Sequence, residues 1–480
     1  MKTKQFFKTR LFSLAALFSM ALAGVSCANE DIVQNGKTGD NGKGFATFVA
    51  DAPTQTRTSI DYATGNFYWE EGDKIYVKDD DGTMQVSNAV DAAHAHSASF
   101  KFKVPGKFGG SATYKVYYLG KNGGGNQVTI PTAQTQTKPN ATDHLGDSGD
   151  YGTATATGTL GGSIFSFQLE HQPAYLVFQP YTSNAVLKNC YLTKIEVNSD
   201  DDIAETYTID PSTGNLNASA GSKQIILTTK DPMTGSTNEK GFSFTNAAST
   251  STADKVYMLI KPGAHTLKVR YWVKDYDTNV EGTITKVLPS FNYDKNTYYD
   301  MTANLNVKDY DGDKYYMWDA QQQYWYGYEW TKHLGAGVGQ PTLAGQPAGN
   351  YAQNNGDVSR WCHEGSGAFQ ATQSCASLPN VNEMTWYAVK GDPRWDADEL
   401  WTTMGHLYKG GMWVKKKSVL QAEGNYNSNT AVDGTDWRTN GNGSSWPVSS
   451  TLPSAADAGN YFYLPALGYY DSGQLSSVGN

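Results

Sequence analysis

Tryptophan next to carboxylates is the clearest chemical signal in this 480-residue chain. Ten of the twelve tryptophans follow residue 306, and several of these ten have acidic neighbours. An indole face can stack on the C–H face of a sugar while carboxylates bond its hydroxyl groups. Two sets of residues are therefore candidate glycan-binding sites: Trp395 with Asp392 and Asp396, and Trp437 with Asp433 and Asp436. Most other tryptophans of this region are expected to be core, because it contains few aliphatic strands.

The remaining polar residues form no recognisable catalytic or metal-binding pattern. The eight histidines lack metal-ligand spacing: His94 and His96 lie in a polar stretch, and His363 and His406 are isolated. Acidic residues such as Glu364 show no spacing typical of glycoside hydrolysis. There is no Gly-rich loop between a strand and a helix and no serine nucleophile elbow. We therefore expect no enzymatic activity, no metal and no cofactor.

The N-terminus is typical of an exported chain with a lipid anchor. Basic residues precede an apolar run from Leu11 to Val25, which indicates a signal peptide over residues 1–26. Small residues lead directly into Cys27, where bacterial lipoproteins carry their lipidated cysteine, so we predict lipidation of Cys27. An ordinary cleaved signal peptide is the alternative. Residues 27–42 are expected to form a flexible tether.

The other cysteines are expected to have structural roles. Cys362 and Cys375 lie thirteen positions apart in an exported chain and are predicted to form a disulfide. Cys190, beside a strand-like run, is expected to be a small buried hydrophobe. Overall, 38 basic and 47 acidic residues give a net charge of −9, which argues against a nucleic-acid-binding protein. Many aromatic and few charged residues argue against disorder.

The elements that would carry these residues are mainly strands. Residues 43–305 contain short alternating or apolar runs separated by Gly, Asn, Asp and Thr clusters. In the clearest run, Leu267 to Val273, apolar side chains share one face and Lys268 and Arg270 share the other, as in a half-buried antiparallel strand. We predict two β-sandwich domains, 43–160 and 161–305, followed by a Trp-rich α+β domain over 306–480.

Two local patterns occur in the last domain. The acidic run from Trp395 to Tyr408, with Leu400, Met404 and Leu407 on one stripe, predicts a helix that ends at Gly410. Aspartates within 307–313 have the oxygen spacing of half a calcium loop but lack its terminal glutamate. A turn between domains is therefore expected there.

Several motifs resemble the Bacteroidetes fimbrillin family. The resemblance runs over about 43–305 and includes the stretch 56–60, the stretch 67–77, the run 128–131 with Gln134 and Gln136, and the run 165–176 that contains His171. It implies two transthyretin-like, Greek-key β-sandwich domains. It also implies that a trypsin-like protease removes the first strand, so that the groove can accept a strand from the next subunit. In this sequence Gly44 to Ala50 would be that strand.

Cleavage would then fall between Arg57 and Thr58, and it would release the strand together with the lipid anchor. The alternative is that Arg57 is an exposed arginine near the start of the next strand. The C-terminal stretches 378–387, 410–417 and 461–470 resemble the major paralogous domains of Fibrobacter and Bacteroidetes, which are similar to C-type lectins. The chain ends before the final strand of that pattern, so either the sequence is a fragment and the domain is truncated, or the domain has lost that strand.

Together these patterns predict a fimbrial, or pilus, subunit on the cell outer membrane. The lectin-like domain lies farthest from the lipid, which favours a tip adhesin over a shaft subunit. Its partners would be other fimbrial subunits through donor-strand pairing, a surface glycan or receptor, and the outer membrane through the lipid. A non-polymerising, glycan-binding surface lipoprotein is the alternative, and an enzyme related to the formylglycine-generating fold is a third.

Overall fold

The computed structural model describes residues 44–50, 59–61, 66–210, 213–245, 247–248, 254–310, 315–328, 351–364, 370–403, 405–443 and 445–479. In these residues the protein is mainly β, with several sheets and two short α-helices. The predicted class is therefore confirmed at that level. The transthyretin-like and lectin-like assignments stay predictions. Cys27, Arg57 and Thr58 lie outside the described residues.

The described strands of the first third are β1 (Phe45–Ala50), β2 (Ser59–Asp61), β3 (Asn66–Tyr68), β4 (Tyr76–Lys78), β5 (Met84–Val86), β6 (Phe100–Pro105), β7 (Thr113–Tyr118), β8 (Gln127–Ile130), β9 (Ala133–Thr135), β10 (Gly152–Gly158), β11 (Ile164–Phe167) and β12 (Glu170–His171). Those of the middle are β13 (Ala174–Tyr181), β14 (Tyr191–Ser199), β15 (Ala204–Ile209), β16 (Leu216–Ser222), β17 (Gln224–Thr228), β18 (Phe242–Ser243), β19 (Val256–Ile260), β20 (Gly263–Lys274), β21 (Glu281–Tyr293) and β22 (Tyr298–Asn304). The C-terminal elements are α1 (Val381–Lys390), β23 (Arg394–Thr403), β24 (His406–Lys415), α2 (Lys417–Ala422), β25 (Tyr461–Pro465), β26 (Tyr469–Asp471) and β27 (Gln474–Ser476).

The first of two large sheets, here called the N-terminal sheet, has the order β5-β4-β7-β10-β11-β1-β6, with β12 beside β10. Its inward side chains form one apolar cluster that contains Phe48, Trp69 and Phe165. The predicted domain boundary at 160/161 lies in the turn between β10 and β11, which are paired strands of this sheet. Residues on both sides of that position therefore belong to one layer.

The second large sheet, here called the nine-stranded sheet, crosses both predicted boundaries. Its order is β25-β24-β23-β21-β20-β14-β17-β9, with β18 beside β14. Strand β9 comes from the first third of the chain and β23–β25 come from the last. Three-stranded sheets β19-β13-β22 and β16-β15-β8 complete the middle of the molecule, and β8 again comes from the first third. The three parts of the chain are therefore joined by strand pairing.

The predicted helix from Trp395 to Tyr408 is wrong. Those residues form most of the hairpin β23–β24, with Thr403 opposite His406. The buried positions of the hairpin include Asp396, Leu400 and Trp401; Asp396 contacts Arg270 of β20, and Leu400 belongs to the core cluster of the middle of the chain. Tertiary pairing overrides the local helix propensity here. The longer described helix of this region instead spans Val381–Lys390 and overlaps a stretch noted only for its resemblance.

The alternating run Leu267 to Val273 is confirmed as a strand, but its polar face is not solvated. Leu267, Val269 and Val273 are fully buried, as the pattern predicts. Lys268 and Arg270 are only 8% and 6% exposed, because residues of the C-terminal third cover them. Among the described residues, no helix is long and apolar enough to cross a membrane.

Candidate functional site

The first strand, β1, lies inside the N-terminal sheet and not at its edge. It pairs in parallel with β11, from Thr47↔Ile164 to Ala50↔Phe167. On its other side it pairs antiparallel with β6 over its whole length. Because a six-residue strand is hydrogen-bonded on both sides, its loss would expose two strand edges at once.

The sequence of β1 explains its fit. Ala46, Phe48 and Ala50 point inward with at most 2% exposure, whereas Phe45 is 64% exposed. The Phe48 ring stacks on Phe165 with centroids 5.2 Å apart and meets Phe108 edge-on at 5.3 Å. Small residues on either side of one large aromatic residue let the strand approach the opposing layer closely. The groove left without β1 would therefore be apolar, with one deep pocket for an aromatic ring.

The Gln134 and Gln136 side chains form hydrogen bonds to the backbone of β19 and of Lys255 beside it, a role that the sequence did not reveal. The Gln134 amide donates to Leu259 O (2.8 Å) and accepts from Leu259 N (3.0 Å). Gln136 bonds Lys255 O and Tyr257 N in the same way, at 3.0 and 2.8 Å. Both side chains are buried. They therefore replace a neighbouring strand along the outer edge of β19, which explains their two-residue spacing.

His171 has a similar structural role. Its Nδ1 lies 2.7 Å from Asp150 Oδ1, which also accepts a hydrogen bond from the Tyr175 hydroxyl at 2.7 Å. His171 and Asp150 are fully buried. Burial raises the pKa of Tyr175 well above its ordinary value. The motif around His171 therefore forms part of a buried polar network beneath β13.

In the C-terminal third, α1 and the sheet β23–β25 enclose an apolar groove. Helix α1 begins with a capping box, in which the Asn380 side chain accepts from Glu383 N and Glu383 accepts from Asn380 N. The cavity between helix and sheet is about 590 Å³. Its apolar lining includes Met384 and Tyr387 of α1, Met412 and Val414 of β24, and Phe462 and Leu464 of β25.

One predicted ligand set, Trp437 with Asp433 and Asp436, lies beside this groove. Trp437 stacks on Trp446, a groove residue, with ring centroids 6.2 Å apart. Trp437 Nε1 donates to Asp433 Oδ2 at 2.9 Å. Asp436 accepts two hydrogen bonds from the Arg438 guanidinium, one from Arg438 N and one from Asn382, and these hydrogen bonds lower its pKa. Both carboxylates therefore hold the loop that presents the Trp437–Trp446 pair.

The structure does not bring the other set together. Trp395 lies opposite Met412 and so shares the groove face of the sheet. Asp396 points to the opposite face, where it is 2% exposed and accepts from Arg270 at 2.8 Å. Asp392 accepts hydrogen bonds from Arg394 and from the Tyr461 hydroxyl. A single ligand could not contact Trp395 and Asp396 at the same time.

Cys362 and Cys375 are both free and half-buried. Their segments meet at Asp319, which accepts from Cys375 N at 2.9 Å and lies 2.8 Å from Nδ1 of His363. Burial opposes ionisation of Asp319, but the hydrogen bonds, first that of His363, outweigh it and lower the pKa of Asp319 to about 2. The disulfide stays a prediction. Cys190 is buried, as predicted, and burial raises the pKa of its thiol to about 12.

Only some tryptophans of the C-terminal third belong to the core. Of the nine that the structure describes, Trp325 and Trp401 are buried, Trp318 is exposed and six are half-buried. Among the described residues, no three His, Cys, Asp or Glu side chains cluster closely enough to hold a metal ion. The half-buried and exposed tryptophans offer aromatic contact surface to a ligand.

No family model and no curated protein matches the chain. Solved structures with partial likeness include a candidate cell adhesion protein from Bacteroides ovatus, at 15% identity and a TM-score of 0.33, covering 55% of this chain and 94% of that one. A candidate cell adhesion protein from Bacteroides uniformis has 13% identity and a TM-score of 0.30, covering 56% and 94%. The fimbrial anchor protein Mfa2 from Porphyromonas gingivalis has 13% identity and a TM-score of 0.26, covering 54% and 90%.

Proposed function

We propose that the chain is a surface fimbrial subunit that is assembled by replacement of its first strand. The observation that carries the proposal is the position of β1, which is paired on both sides and inserts Phe48 into the core. This strand precedes Arg57, so one cut after Arg57 would separate it from the rest of the sheet. A donated strand would then restore both rows of hydrogen bonds and refill the Phe48 pocket.

The lipid on Cys27 would hold the unprocessed chain at the outer membrane, and cleavage after Arg57 would free it for assembly into a fimbria. The proposal includes a role at the tip, and the support for it is the C-terminal third, whose strands extend the nine-stranded sheet. The Trp437–Trp446 pair, fixed by Asp433 and Asn382, is the surface that we assign to adhesion.

Limited trypsin digestion of the mature protein tests the assembly mechanism. We expect a new N-terminus at Thr58 with loss of residues 27–57, followed by uptake of a partner strand. The variant Arg57→Gln should keep β1 and stay unassembled under the same digestion. Cleavage elsewhere, with Arg57 intact, would contradict the proposal.

The second candidate is a glycan-binding lipoprotein that keeps its first strand and does not polymerise. The aromatic pair at the groove favours it, since this pair is present whether or not β1 is removed. Glycan-array binding by the full chain, lost in Trp437→Ala and retained in Trp318→Ala, would support adhesion in either case. The trypsin experiment then separates the two candidates.

A further inference from the structure

Strand β21 has one side that is closed only by the C-terminal third. Its inner side pairs with β20 along most of its length, from Lys274↔Glu281 to Gly263↔Tyr293. In the described part of the chain, its outer side pairs in parallel with β23 at Thr283↔Glu399. Without β23, this thirteen-residue strand would end the sheet with an open edge, which is a template for pairing with another strand.

The two strands lie in close contact at Gly282. A Cβ atom at Gly282 would overlap the carbonyl oxygen of Asp398 and lie 2.7 Å from Leu400 Cδ2. Glycine at this position therefore makes room for the incoming strand. A larger side chain would block that approach without pointing toward β20.

The Glu399 side chain extends the pairing beyond the single backbone contact. Its carboxylate accepts from Thr285 N at 2.8 Å, from the Thr285 hydroxyl at 2.6 Å and from the Thr283 hydroxyl at 2.9 Å. One carboxylate therefore satisfies an outward N–H group of β21 and both threonine hydroxyls of this edge.

A second carboxylate of the same strand meets a buried cation. Asp396 lies 2.8 Å from Arg270 Nη2, and the two residues are 2% and 8% exposed at their side chains. Arg270 also donates to the Thr283 hydroxyl at 2.9 Å, and Trp413 Nε1 donates to Asp396 at 3.0 Å. The neighbouring Lys268 reaches Pro453 O at 2.6 Å. The edge strand β21 thus offers threonine donors, its neighbour β20 adds the Arg270 cation, and β23, which covers them, supplies two carboxylates.

We propose that the outer edge of β21 is an acceptor site for an acidic strand, which this chain fills in cis with β23. The recognition elements are Arg270, Thr283 and Thr285 on the acceptor and two carboxylates three positions apart on the donor. The same edge binds the same strand in trans when the cis strand is displaced. This inference does not depend on the removal of β1, which concerns the other large sheet.

The test uses the full chain with Asp396→Lys and Glu399→Lys, which reverses the donor charges and leaves the acceptor intact. A synthetic peptide of residues 394–403 should bind this variant, whereas wild type should not bind it because its edge is occupied. The same peptide carrying Asp396→Asn should bind at least tenfold more weakly, because Arg270 loses its ion pair. Adding Gly282→Val to the charge-reversed chain should abolish binding.

The matched control is Asp398→Lys, on the same strand, because Asp398 faces Lys409 at the surface. This variant should keep its edge closed and bind no peptide. Absence of peptide binding to the charge-reversed chain would overturn the proposal. Loss of the fold of residues 44–304 in that chain, measured by hydrogen exchange, would overturn it as well, because β23 would then be core and not a cap.

Discussion

Phe48 is the residue of the first strand on which the N-terminal sheet depends most. Its ring is fully buried against Phe165 and Phe108. We expect Phe48→Ala to lower the free energy of unfolding by about 3–5 kcal/mol, because a buried ring is lost and a cavity remains. Urea unfolding, followed by the fluorescence of Trp69 in the same cluster, measures the change.

Phe45 provides the matched control on the same strand. It has the same side chain but is 64% exposed. Phe45→Ala should change the free energy of unfolding by no more than about 0.5 kcal/mol. Equal effects of the two substitutions would show that the inward face of β1 does not contribute to the core.

Gln134 carries a second prediction at this scale. Gln134→Leu would leave the N–H and C=O groups of Leu259 buried without their partner, and each such group costs about 1–3 kcal/mol. We expect a loss of about 2–4 kcal/mol in the free energy of unfolding, measured by urea denaturation. Gln127→Leu is the control, because that exposed amide donates only to the Thr208 hydroxyl, at 3.2 Å. A near-neutral Gln134→Leu would mean that β19 needs no partner along this edge.

At the level of elements, local sequence patterns predicted strands well. They failed where contacts with residues distant in sequence determine the secondary structure. The alternation in Leu267 to Val273 identifies β20 and its buried face correctly, because one face of that strand packs on its own core. The hairpin β23–β24 was missed because Asp396 and Asp398 favour a helix N-terminus, whereas the contacts that Asp396 and Glu399 make in the strand are not local. Their partners, Arg270 and Thr285, lie more than a hundred residues away and leave no local signal.

The stability of the junction between β21 and β23 should depend on pH. Burial raises the pKa of Glu399 from 4.5 to about 7, against the hydrogen bonds of Thr285. Between these values the folded protein binds more protons than the unfolded chain, so stability falls as pH rises through this window. Glu399→Gln should therefore flatten the decline in stability between about pH 5 and 7, measured by thermal unfolding at a series of pH values.

The surroundings of Glu399 set the control for that experiment. Burial also lowers the pKa of the neighbouring Lys268 and Lys286. Glu170→Gln replaces an acid that is half exposed and paired with Lys295 at the surface. That variant should keep the wild-type slope. A Glu399→Gln curve that parallels wild type would show that Glu399 does not titrate in this range.

For the whole molecule, the sequence predicted the β class and the change of character near residue 305, but not how the parts are joined. Composition separates the Trp-rich third from the strand-rich remainder. The pairing of β9 with β17, and of β23 with β21, joins segments that no short pattern connects. The candidate glycan-binding residues were likewise chosen by residue type and spacing alone. Only tertiary packing distinguishes Trp437, at the groove, from Asp396, which is buried against Arg270.

The position of β1 leads to a prediction for the assembled state. A chain cut after Arg57 and freed of its first strand should lose stability and associate with other subunits, because its sheet has two open edges and an empty aromatic pocket. A peptide of residues 44–50 in excess should restore thermal stability and suppress association, since it replaces the lost strand.

The peptide with Phe48→Ala should bind at least tenfold more weakly, which corresponds to a loss of about 1.4 kcal/mol or more in binding free energy. The peptide with Phe45→Ala should be as effective as wild type. If the 44–50 peptide does not reduce association, the contact between subunits lies away from the groove that β1 leaves.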